Sequence, residues 1–173
     1  MPHRHELRSL SGHDLAAACA KAEKYRDLNQ PDESDSICRD ILAVEPKNQQ
    51  ALRTLGLSLT DRFRENWMQH KVEALAVFER LDSEYERTYL SGVAWERYAK
   101  TLLHEEMWRG AFDAFHRALD LFDKAERIAP SDEPDPILRW NRIVRELTTH
   151  PQLIAAEAAP DASDLDFGDG PPG

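Results

Sequence analysis

The sequence predicts an all-α protein, an α-solenoid of about three helical hairpins closed by a C-terminal capping helix. Three observations carry that expectation. Apolar residues recur at three- and four-residue steps along most of the 173 residues, as in helices that bury one stripe. No stretch alternates apolar and polar residues between turn signals, so strands are not expected. Pairs in which a longer residue precedes a smaller one fall at 21–22, 55–56, 98–99 and 143–144. The first interval, 34 residues, is that of helical units that hide their apolar faces only by stacking.

Taken in order, Leu15 to Leu28 is rich in alanine with Tyr25, a helix able to approach a neighbour closely. Pro31 and Asp32 open a second helix with the stripe Ile37, Cys38, Ile41, Leu42 and Val44, which stops before Pro46. A third starts near Gln49. Its Gly56 costs a helix about 1 kcal/mol against alanine, which makes sense only where another helix crosses too close for a side chain. Val72 to Leu81 forms the next stripe. Ser83 with Glu86 reads as a capping box opening a long helix through Trp95, Tyr98 and Leu102, expected to end near Gly110. Its partner runs to Ala129 before Pro130, and "ILRWNRIVREL" is the last helix, ending before His150 and Pro151.

Length allows one domain. Hydrophobic content of 41%, a charged fraction of 31% and a mean hydropathy of -0.64 suit a soluble helical protein. Half of the formal charge of -10 lies from Glu157 onward, where five acidic residues stand without Lys or Arg. The body is acidic too, which argues against nucleic acid as a partner. No apolar run approaches the roughly 18 residues of a membrane span, and the N-terminus lacks the apolar core of a secretory signal, so cytoplasmic residence is expected. Cys19 and Cys38 read as buried free thiols.

The hairpins resemble tetratricopeptide repeats. The first unit supplies Ala22 and Tyr25, then Ser34, Cys38, Ile41 and the closing Pro46, with Lys21 departing from a large apolar slot. Leu52, Leu55, Gly56 and Leu59, then Ala74, Phe78 and Leu81, match in the second, which lacks its closing proline. The third has Trp95, Tyr98, Ala99 and Leu102, then Ala111, Phe115, Ala118 and Leu119; Trp140, Ile143, Val144 and Leu147 repeat the first-helix pattern. Extra residues around "RFRENWMQ" lengthen the second hairpin. The resemblance covers about residues 15 to 148 and implies a right-handed array. Residues 1 to 14 are expected to be a flexible N-terminus, and 149 to 173 a disordered acidic tail.

In such arrays the first helices line a concave face that binds peptides or partner helices. By correspondence that lining comprises Ala16, Cys19, Glu23 and Arg26, then Gln50, Arg53, Leu57 and Thr60. The later helices add Val93, Glu96, Arg97, Lys100 and His104, then Leu138, Asn141, Arg142 and Arg145. Partner contacts are expected at Arg53, Leu57, Arg97, Lys100, His104, Asn141, Arg142 and Arg145, a basic groove for an acidic segment. The bland alternative is that these cations are solvated or paired with Glu96 or Glu146. Tail residues Asp164, Asp166 and Phe167 are candidates to occupy the groove.

Catalytic motifs are lacking: there is no glycine-rich phosphate loop, nucleophile elbow or paired-cysteine motif. His104 begins "HEEMW", where a zinc protease would need a second histidine at Trp108. His3, His5 and His13 are too weakly organised to predict a metal, and no cofactor is expected. The expected function is a non-enzymatic adaptor or chaperone-like module binding another protein. The alternatives are an accessory subunit of an enzyme or metal-handling complex, and a self-assembling scaffold.

Overall fold

The computed structural model describes residues 5–158, and these are helical without strands. A single 3-10 turn at Gly12–Asp14 leads into α1 (Leu15–Asp27), α2 (Pro31–Val44), α3 (Gln49–Asp61) and α4 (Phe63–Phe78). Then come α5 (Glu84–His104), α6 (Trp108–Ile128), α7 (Asp135–Thr149) and α8 (Pro151–Ala158). Neighbours in the chain pack as hairpins, α1 on α2, α3 on α4 and α5 on α6, and α1, α3 and α5 also touch in succession. The result is the solenoid-like stack of three hairpins that the repeat spacing predicts, with α7 and α8 at its C-terminal end.

Local chemistry sets the boundaries. Pro31 begins α2, where its missing N–H is no loss. The Asn48 side chain caps α3 by accepting from the Ala51 N–H at 2.9 Å, and Ser83 Oγ caps α5 by accepting from the Glu86 N–H at 3.2 Å. Asn29 and Glu106, with φ of 59° and 57°, turn the chain beyond α1 and α5.

Two expectations are corrected. The long helix ends at His104, not near Gly110, because Glu106 turns left-handed and Gly110 lies inside α6. The proposed tail from 149 begins with a helix: α8 buries Leu153 completely and packs on α6 and α7. Arg109 Nη1 holds its end by donating to the carbonyls of Ala156 and Glu157 at 3.2 and 3.4 Å. Asp164, Asp166 and Phe167 lie outside the described residues, as does His3.

One apolar core, centred on Leu52, Leu55, Leu59, Phe63, Ala74 and Phe78, unites the first two hairpins. A second, with Phe115, Leu119, Phe122, Ile143 and Leu153, joins the third to α7 and α8. Leu57, Tyr89 and Tyr98 pack against both, so the array is continuous. Close helix crossings rest on small residues: Gly56 faces Phe78 and Gly92 faces Phe122. The lengthened second hairpin is absorbed at the start of α4, which kinks at Asn66. Phe63 is buried there, Trp67 packs on the first core and Met68 is exposed. Among the described residues no helix is long and apolar enough to cross a membrane.

Candidate functional site

The first helices of successive hairpins are laced together by polar contacts on one side of the array. Between α1 and α3, Gln50 Nε2 donates to Glu23 at 2.9 Å and Arg26 pairs with Asp61 at 2.7 Å. Between α3 and α5, Arg53 reaches Glu86 at 2.6 Å, while Arg97 pairs with the same Asp61 and donates to Thr60 Oγ1 at 2.5 Å. Burial outweighs Asp61 and holds the Arg97 pKa below the ordinary arginine value.

The densest point lies where α5 meets α7. Glu96 is 0% exposed, yet three cations converge on its carboxylate. Lys100, one turn on, pairs with Oε1. Arg139 Nη1 donates to Oε2 at 3.1 Å, and Arg142 stands off at 3.8 Å from Glu96 and 3.8 Å from Glu146. A buried carboxylate is tolerable only with such partners. Burial opposes the charge of Arg139, but the Tyr89 hydroxyl and Glu96 offset it, so its pKa lies above the ordinary value.

Above this ion cluster α5 and α7 leave an open depression of about 550 Å³ lined by Tyr89, Arg97, Lys100, Asp135, Leu138, Arg139 and Arg142. A second of about 460 Å³ continues along α7, lined by Leu138, Arg142, Arg145, Glu146 and Thr149. Leu138 and Arg142 form the shared wall, and Leu138 is 59% exposed. The two depressions adjoin at these residues, hereafter the groove, and in their joint lining cations outnumber anions.

Protein-family models give no match to this chain. No curated protein matches it either.

The expected partner residues divide sharply. Lys100, Arg142 and Arg145 lie in the groove. Arg97 lines it too, with its charge already engaged by Asp61, and Arg53 is tied to Glu86 outside it. Leu57 is half-buried and packs against both cores. His104 and Asn141 are exposed but line neither depression. Cys19, Thr60, Val93 and Glu96, expected on the lining, are buried between helices instead. Arg53 and Arg97 are thus paired, but with Glu86 and Asp61 rather than with Glu96 or Glu146, which engage Lys100 and Arg142 instead.

Arg139 was not among the expected lining residues, although its 3.1 Å contact is the firmest link between α5 and α7. Its signal was its spacing three residues before Arg142 on the same helix. Tyr89 was not expected there either. Its ring packs at 5.8 Å from Phe122 while its hydroxyl reaches the groove wall, where it receives a 3.4 Å hydrogen bond from Arg139. Among the described residues no group of three or more His, Cys, Asp or Glu could hold a metal.

Proposed function

We propose that this chain is a non-enzymatic interaction module of the tetratricopeptide type, an adaptor or chaperone-like protein whose groove between α5 and α7 seats an acidic segment of a partner. The supporting observation is the arrangement around Glu96. One buried carboxylate fixes Lys100, Arg139 and Arg142 in place, yet it cannot use all their donors. A guanidinium carries five N–H groups in a rigid fork. Arg142, with a side chain 60% exposed and both its acidic neighbours at 3.8 Å, keeps most of them for a ligand. Arg145, on the same face one turn later in the groove, adds a second fork suited to paired carboxylates. The exposed Leu138, one turn before Arg142, is an apolar seat, so an acidic segment with one apolar side chain fits better than a bare polyanion. Cys19 and Cys38, kept as buried thiols, suit a reducing cytoplasm.

The test is fluorescence anisotropy with a labelled octaglutamate peptide. Binding in the range of about 10 to 100 μM, weakening with salt, is expected for a short segment that must be ordered on docking. Arg142→Glu with Arg145→Glu should abolish it while leaving the helical circular dichroism unchanged. Equal binding by that double variant would refute the groove.

A second reading, self-assembly, draws on Ile137, Trp140 and Val144, which leave one stripe of α7 exposed at the end of the stack. Light scattering at two concentrations distinguishes it: a mass that rises with concentration supports assembly.

A further inference from the structure

The groove lies within reach of a segment of the same chain whose charge complements it. Depressions lined by Lys100, Arg139, Arg142 and Arg145 extend along α7 as far as Thr149. From there α8 covers only the eight residues Pro151–Ala158, a rise of about 12 Å. Residues 159 to 173 follow. They carry Asp161, Asp164, Asp166 and Asp169, no Lys, Arg or His, and the apolar pair Leu165 and Phe167.

We infer that residues 161–169 occupy the groove between α5 and α7 of their own molecule and compete there with external acidic segments, an autoinhibitory contact which rests on reading that groove as a seat for acidic segments. Chain length supports this. At roughly 3.3 Å per residue the five residues 159 to 163 span about 17 Å, more than the rise of α8 that must be retraced to reach Thr149. Asp164 is therefore an acidic residue within chain reach of Arg145, with Asp166 and Asp169 beyond it. Charge complementarity with Lys100, Arg139, Arg142 and Arg145 carries the match.

Tethering decides the strength. A short tether holds its ligand at an effective concentration of about 1 mM. Against an intrinsic affinity of about 0.1 mM, the tail would then weaken an external competitor about tenfold.

The test uses the full chain and the same labelled octaglutamate peptide. Asp161→Asn, Asp164→Asn, Asp166→Asn and Asp169→Asn, made together, should tighten peptide binding about tenfold over wild type at low salt. The gain should vanish when Arg142→Glu and Arg145→Glu are added. Equal affinity of wild type and the fourfold variant overturns the tail contact and leaves the groove standing. Failure of both forms to bind overturns the groove and the tail contact with it. Wild-type inhibition that grows with protein concentration overturns the intramolecular form, because the blocking segment would then come from a neighbour.

Discussion

Replacing Gly56 by alanine isolates how tightly α3 and α4 cross. Neither Gly56 nor any other described glycine has a positive φ, so alanine meets no backbone penalty and gains about 1 kcal/mol in helix propensity. Against this, a Cβ at Gly56 would lie 2.2 Å from Phe78 Cε1, 2.7 Å from Cζ and 2.8 Å from Cδ1. Carbon atoms prefer about 3.5 to 4.0 Å, so the ring or the helix must move by more than about 1 Å. Phe78 is fully buried within the first core and has no open side to move toward. Overpacking of this kind costs about 1 to 3 kcal/mol and occasionally more, and at the upper end, less the gain in propensity, the net loss is about 2 kcal/mol. The melting temperature should fall by about 4 to 8 °C. Two glycines calibrate the series. At Gly92 the nearest atom is Phe122 Cε1 at 2.7 Å, so Gly92→Ala should cost less. At Gly110 it is the end of Leu102 at 3.2 Å, so Gly110→Ala should be neutral or stabilising by up to about 1 kcal/mol. Urea unfolding followed by circular dichroism gives the order. A Gly56→Ala protein as stable as Gly110→Ala would refute the close crossing.

Glu96→Gln leaves Lys100, Arg139 and Arg142 without their shared anion; because these side chains are 31%, 32% and 60% exposed and partly rehydrate, a loss of about 1 to 3 kcal/mol is expected by thermal melting, with tighter octaglutamate binding. Burial pushes the Cys38 thiol from 9.0 up to about 12. The folded state thus holds this proton more tightly than the unfolded chain, so the contribution is intact below pH 9 and is lost as pH rises toward 12. Wild type should lose more stability than Cys38→Ala across that window, and native Cys38 should react with a disulfide reagent only as fast as the protein opens. Leu153→Ala should cost about 2 to 4 kcal/mol in urea unfolding and release α8, since Leu153 is its one fully buried side chain.

What could be foreseen from the residues was what depends on near neighbours. Pro31, Pro46 and Ser83 mark helix ends because their effect is local, and Gly56 announced a close crossing because only contact explains a glycine there. Helix α8 was hidden: "PQLIAAEA" has one buried anchor and sits in an alanine-rich, acidic context that reads as tail. Val144, matched to a small packing slot, is 41% exposed instead. The groove was foreseen only as a set of cations. Which of them are spent on other helices turns on pairings such as Glu96 with Arg139, separated by 43 residues, and Asp61 with Arg97, separated by 36. Those distances exist only once the hairpins stack.

The lacing by ion pairs along α1, α3, α5 and α7 has a counterpart among the second helices. Asp61 is shared between Arg26 and Arg97 among the first helices, and on the second helices Arg39 with Glu73, and Arg62 with Asp32 and Asp35, join α2 to the next hairpin. Raising ionic strength weakens these partly exposed links in both layers. The apolar cores then carry the contact between successive hairpins alone.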